Sequence, residues 1–115
     1  MAITYQSIDG TAVSDSATTL YTCPAGTSSR ARIDKLVIAN YDGSNPVDVT
    51  VYKVPSGGSA GNSNTISEQS KTIAIGEAWT VSEAIGQILA EGDTLQATAS
   101  AASRATATGA VMEVT

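Results

Sequence analysis

Histidine and phenylalanine are absent from this 115-residue chain, and cysteine occurs once, as Cys23. Without histidine the commonest general base and the commonest neutral metal ligand are missing, so Ser-His-Asp and Cys-His nucleophile schemes are excluded. A lone cysteine rules out an internal disulfide framework and a paired-thiol metal site, and Cys23, just before Pro24, reads as a small buried hydrophobe. Cations are scarce too. Six Lys and Arg against eleven Asp and Glu give a formal charge of -5, which leaves little for counterion release from nucleic acid. No apolar run approaches the ~18 residues of a membrane span, and the opening MAITYQSIDG lacks the basic and apolar regions of a signal peptide. The chain is therefore expected to be made in a cytosol, with no membrane, nucleic-acid or small-molecule partner and no cofactor.

What is present is small and β-prone. Apolar residues make up 42% and charged residues only 15%, with Thr, Ser, Ala, Val and Gly filling the remainder. Such a composition suits thin pleated layers better than charged amphipathic helices. The length fits a single domain. Residues 1–16 are expected to be an N-terminal arm or short edge strand, and residues 17–115 a β-sandwich.

Along the chain, TTLYTC reads as a strand closed by Pro24 and Gly26. RARIDKLVIAN begins as an alternation that sets Ile33 with Lys35 and Val37, and Leu36 with Ile38 on the other face. The turn residues YDGSNP then lead into VDVTVYKV, where Val47, Val49 and Val51 share a face opposite Asp48, Thr50 and Tyr52. These two runs are expected to form a hairpin. KTIAI and AWTV around Gly76 and Glu77 read as a second hairpin, with Trp79 as a core anchor. The spacing of Ile85, Ile88 and Leu89 in SEAIGQILAEGD fits one or two helical turns, capped by Ser82 and stopped by Gly92. Leu95, Ala97 and Ala99 then share a strand face, as do Thr106, Thr108, Ala110, Met112 and Val114 in the last strand. The pattern predicts seven or eight antiparallel strands in a sandwich, either a jelly roll or an Ig-like Greek key, with one short helical turn.

The tract PSGGSAGNSN, within residues 53–64, looks like an interdomain linker but has strand signals on both sides. Either half alone would carry a marginal core, so the tract is expected to be a long loop inside one sandwich.

No constellation of catalytic residues emerges. Glu91 and Asp93 are read as a solvated turn before a strand, not as an acid/base pair. Asp42, Ser44, Asn45 and Asp48 offer oxygen ligands without EF-hand spacing, and the glycine tract lacks the Gly-Lys-Ser/Thr ending of a phosphate loop. The remaining candidates are contact residues. Arg30 and Arg32 point the same way on one strand, Arg104 is a third cation elsewhere, and Tyr52 with Val54 offers an apolar strip. Gly57, Gly58, Gly61 and Asn62 would permit close approach of a neighbouring backbone.

Five stretches, ATTLYTCPAG, KLVIANYDG, VTVYKVPSGGSAGNSNTI, KTIAIGEAWTV and GQILAEGDTLQATASAASRATATGAVMEV, resemble in order and spacing small virion structural proteins of tailed bacteriophages. The resemblance covers about residues 17 to 115 and is carried best by VYKVPSGGSAG and LAEGDTLQA. It implies a compact sandwich present in many copies on a phage particle, with no catalytic residues. It implies a head decoration (cement) protein or a small head–tail or tail component; a single compact domain with an N-terminal arm and no long helices or repeats favours the cement role, with the major capsid protein and neighbouring copies of itself as partners, in a trimer suited to the threefold positions of a lattice. A small tail or neck component is the alternative. A carbohydrate-binding sandwich is more distant, since it needs aromatic platforms and only Trp79 and four tyrosines are available.

Overall fold

The structure is a computed structural model that describes residues 2–26 and 28–115. Among the described residues nine strands form two antiparallel sheets. The first holds β1 (Ile3–Val13), β9 (Ala105–Val114) and β3 (Arg30–Asn40) in that order, with β6 (Ala78–Thr80) and β7 (Ile88–Ala90) against the far side of β3. The second holds β2 (Thr18–Thr22), β8 (Thr94–Ala99), β4 (Val47–Val54) and β5 (Lys71–Ile73) in that order.

β9 occupies one side of β3 from Arg30 to Asn40, so β6 at residues 37–39 and β7 at residues 30–32 share its other side. They are one strand interrupted in the middle. Counted so, eight strands cross between the sheets at every step but β4 to β5, and their orders, β1-β9-β3-β6/β7 and β2-β8-β4-β5, are those of a jelly roll, which decides between the two sandwich topologies expected from the sequence.

Neither expected hairpin forms. β3 and β4 lie in different sheets, and so do β5 and β6. Their turns arch across the sandwich, because strands buried on one face only gain more by facing each other across a core than by lying side by side. The first arch is held by Asn40, which is 2% exposed. Its amide donates to the carbonyls of Asn45 (3.0 Å) and Ile73 (3.1 Å), and its oxygen accepts from the Asp42 N–H (2.9 Å). That side chain ties the end of β3 to β5 in the opposite sheet.

Two further expectations change with the backbone. In β3 the register against β9 shifts between Ile33 and Lys35, so Ile33, Leu36 and Ile38 are all buried and Lys35 faces outward. A bulge adds one residue and reverses the alternation from that point. The segment expected as one or two helical turns contains a single 3-10 turn, Ser82–Ala84, preceded by Val81 in the cap position without a side-chain cap. Gly86 then adopts φ +88, donates to Ile33 O (2.7 Å), and Gln87 O accepts from Ile33 N (3.0 Å). Pairing with the bulged edge of β3 draws the chain out of the helix and into β7. Within the segment expected as an arm or short edge strand, Ile3–Val13 forms the 11-residue β1, paired with β9 at the edge of the first sheet.

Between the sheets lies a core of Ile, Leu, Val and Ala, centred on Ile33, Leu36, Ile38, Leu89, Leu95 and Val111. Each fully buried Ile or Leu contributes about 1.5–3 kcal/mol. Alanines at 97, 99, 105 and 107 let the two layers approach without phenylalanine. Residues on both sides of the glycine tract, Val51 and Ile73, join this same cluster. Trp79, opposite Ile38, is half-buried against it.

Candidate interaction surface

The first sheet turns one face to the core and the other to solvent, and its register aligns the outward side chains into rows. One row runs Ile3, Val114, Arg30, Ala90 across β1, β9, β3 and β7. The next runs Tyr5, Met112, Arg32, Ile88, and a third Ser7, Ala110, Lys35. Ile3, Tyr5 and Ile88 are exposed at 58%, 74% and 48%, an unusual concentration of large apolar side chains on one end of one sheet. Arg30, Ala31, Arg32, Ile88, Met112 and Val114 line a shallow depression of about 140 Å³ there.

Half of the chain's cations, Arg30, Arg32 and Lys35, stand on this face. Arg32 Nε donates to Asp34 (2.7 Å) and its Nη2 lies 3.9 Å from the Met112 sulfur. Arg30 donates to its neighbour's carbonyl, Ser29 O, at 2.7 Å. Among the described residues neither Arg30 nor Lys35 forms an ion pair. The face is thus apolar with free positive charge, on a molecule whose net charge is -5.

The other contact candidates do not join it. Arg104 sits at the far end of β3, about 33 Å away along an 11-residue strand, where it pairs with Asp42 (3.3 Å) and donates to Pro46 O (3.3 Å). Tyr52 lies on the outer face of the second sheet, its hydroxyl 3.3 Å from that of Thr98, while Val54 is 1% exposed. The loop from 55 to 70 leaves the end of β4 and returns along its edge. Thr65 bridges to Tyr52, Ile66 N donates to Val51 O (3.0 Å) and Val51 N to Ser67 Oγ (3.0 Å). Gly57 takes φ +78 in the turn closed by Gly58 N to Pro55 O (2.9 Å), and Gly61 with Asn62 leads into a 3-10 turn at Asn62–Asn64.

Asp42, Glu91, Asp93 and Glu113 are occupied by the fold. Asp42 accepts from Ser44 N (2.8 Å) and pairs with Arg104, and the Ser44 N–H foremost holds its carboxyl below the usual range. Asp93 accepts from Ser56 N and Ala90 N (both 3.0 Å), and Glu91 accepts from Gly26 N. Glu113, 7% exposed, accepts from the Tyr21 hydroxyl across the two sheets. Burial first, and then that carboxylate, push the Tyr21 phenol well above its ordinary value. Cys23 is buried, points at Leu89 O (3.6 Å), and has its thiol raised chiefly by burial. No group of three or more His, Cys, Asp or Glu able to hold a metal occurs among the described residues.

Ile3, Tyr5 and Ile88 were not among the contact candidates drawn from the sequence. Their signal was the outward parity of Met112 and Val114, which becomes a surface only when register places Ile3 and Tyr5 beside them.

No protein-family model matches the chain, and no curated protein does. A solved structure with the same fold does exist. Over 98% of its length the chain is similar to 88% of a chain from Bacillus endospore appendages, described as a family of disulfide-linked pili, at 16% identity and a TM-score of 0.57. At that identity what is shared is the fold. Over 96% of its length it also aligns with the VP2 protein of infectious bursal disease virus, at 12% identity and a TM-score of 0.48, spanning only 31% of that chain.

Proposed function

We propose that this chain is a non-enzymatic structural protein of a tailed-phage virion, a decoration (cement) protein that docks on the outer head lattice. The observation that carries the reading is the outer face of the first sheet, where Tyr5, Ile88, Met112 and Val114 surround Arg30 and Arg32 on an otherwise acidic molecule. Such a face fits an apolar surface with acidic groups, here the major capsid protein. The phage resemblance of residues 17–115 and the shared fold of a pilus subunit support a role in assembly. Binding only the assembled lattice would add its free energy to the particle by linkage, and neighbouring copies would multiply weak contacts. Purified protein is expected to bind undecorated capsids stoichiometrically, and an Arg30→Glu, Ile88→Asp variant to lose that binding. Wild-type protein that ignores capsids would sink the cement role.

The likeness to a pilus subunit favours one other reading, a tail, neck or appendage component. Filament contacts would then be non-covalent at Cys23, whose thiol is buried. Locating the protein on an intact particle by electron microscopy separates the two.

A further inference from the structure

β1 is the terminal strand of its sheet, paired among the described residues with β9 alone. Ala2 and Thr115 exchange both backbone hydrogen bonds, N to O at 2.9 and 3.0 Å. In an antiparallel ladder the pairs alternate, so Thr4 and Gln6 also turn their backbone groups toward β9. Ile3, Tyr5 and Ser7 therefore turn theirs outward. No hydrogen bond to those outward groups is formed among the described residues. From Ala2 to Ile8 the strand has no charge, no proline and no glycine, the usual devices that blunt an edge; the first interruption is the register shift between Ile8 and Thr11, with Gly10 at φ +59.

The other edges are protected. β6 and β7 have three residues each and are separated by the 3-10 turn, β5 has three, and β2 has five with a register shift between Thr19 and Tyr21. A strand able to match the length of the free β1 edge is thus found in another copy of β1. Because the segment is uncharged, two copies of an acidic protein can approach there without placing like charges opposite each other.

We infer that two copies of the chain pair through β1, antiparallel about a twofold axis, joining their first sheets into one continuous sheet. The hydrogen-bonding parity restricts the register. Outward-facing odd residues must meet odd residues, and the pairing that keeps Ile3 to Ser7 clear of the bulge sets Tyr5 against Tyr5 of the second copy and Ile3 against Ser7. Ile3 and Tyr5 project onto the apolar outer face, so the dimer sets two such faces side by side. This contact is twofold, and a threefold assembly of the kind expected from lattice symmetry would be built through other surfaces. It stands apart from capsid binding: a dimer that ignores capsids keeps this inference and loses the cement role.

The test uses the full chain in solution. Sedimentation is expected to give about 23 kDa, twice the 11.6 kDa of one chain. Ser7→Pro removes an N–H that faces the open edge without touching the β9 ladder, so it is expected to halve the mass while retaining the wild-type circular dichroism. Tyr5→Cys is expected to form a covalent dimer on oxidation, since a hydrogen-bonded antiparallel pair holds its Cα atoms about 5.5 Å apart. Thr4→Cys is expected to stay reduced, its copies lying about 8 Å apart across the same axis. A wild-type monomer at ~100 μM, an oligomer that survives Ser7→Pro, or equal cross-linking of Thr4→Cys and Tyr5→Cys would each overturn the inference.

Discussion

Replacing Gly109 with alanine tests the tightest approach at any glycine of the chain. Gly109 lies at the centre of β9, opposite Ile8 of β1 and Leu36 of β3, and both neighbouring strands are bulged beside it. A Cβ there would stand 2.2 Å from Lys35 O, 3.1 Å from Lys35 C and 3.3 Å from Leu36 Cα, all backbone atoms. Carbon and carbonyl oxygen on adjacent strands normally sit about 3.3–3.6 Å apart, so β9 and β3 would have to separate by about 1 Å. Sandwiched between two strands, β9 has nowhere to go. Strain and weakened ladder bonds together are expected to cost about 3–4 kcal/mol, and removal of glycine's backbone entropy returns about 0.5–1. The net loss, about 2–3.5 kcal/mol, corresponds to roughly 8–14 °C in Tm at an unfolding entropy of about 2.1 cal/mol/K per residue. Gly61→Ala is the control: its φ is -171 and nothing lies within 4 Å, so its Tm is expected within about 2 °C of wild type. Calorimetric melts placing Gly109→Ala within 3 °C of Gly61→Ala would refute the close approach and with it the register at the β3 bulge.

Other expectations follow from single contacts. Asn40→Ala leaves the carbonyls of Asn45 and Ile73 without their donor and is expected to lower stability by about 2–4 kcal/mol in urea unfolding; a loss under 1 kcal/mol would mean the arch is held by other groups. Tyr21 is folded with its phenol neutral and its pKa raised, so its contribution is fully present below the unfolded value of about 10 and is lost as pH rises above it. Stability measured from pH 8 to 12 should therefore fall more steeply above 10 in wild type than in Tyr21→Phe. Cys23 is expected to resist a thiol reagent in the native protein and react at once in denaturant, and rapid native labelling would contradict its burial.

Local patterns in the sequence carried much of the fold. Val47, Val49 and Val51 alternate as their burial requires, and so do Leu95, Ala97 and Ala99. What failed was partnership. Asp42-Gly43 and Gly76-Glu77 signal a reversal of direction, but a reversal that arches between layers has the same turn chemistry as one that closes a hairpin, and the difference lies in residues far along the chain. The bulge at Ile33–Lys35 was equally silent, since one inserted residue leaves no compositional mark. Of the contact candidates, Arg30 and Arg32 could be paired from their spacing of two. Their apolar surroundings come from β1, β7 and β9, separated from them by up to 84 residues, and only register assembles them.

The break between β6 and β7 has a consequence for growth. A building block that can be extended at both sheet edges propagates without limit, as fibres do. One whose far edge is cut into two three-residue pieces has a valence of one at that sheet: its first partner is also its last. The 3-10 turn at Ser82–Ala84 thus acts as a chain stopper written into the backbone, and a variant that straightened it into a continuous strand would trade a closed pair for an open-ended polymer.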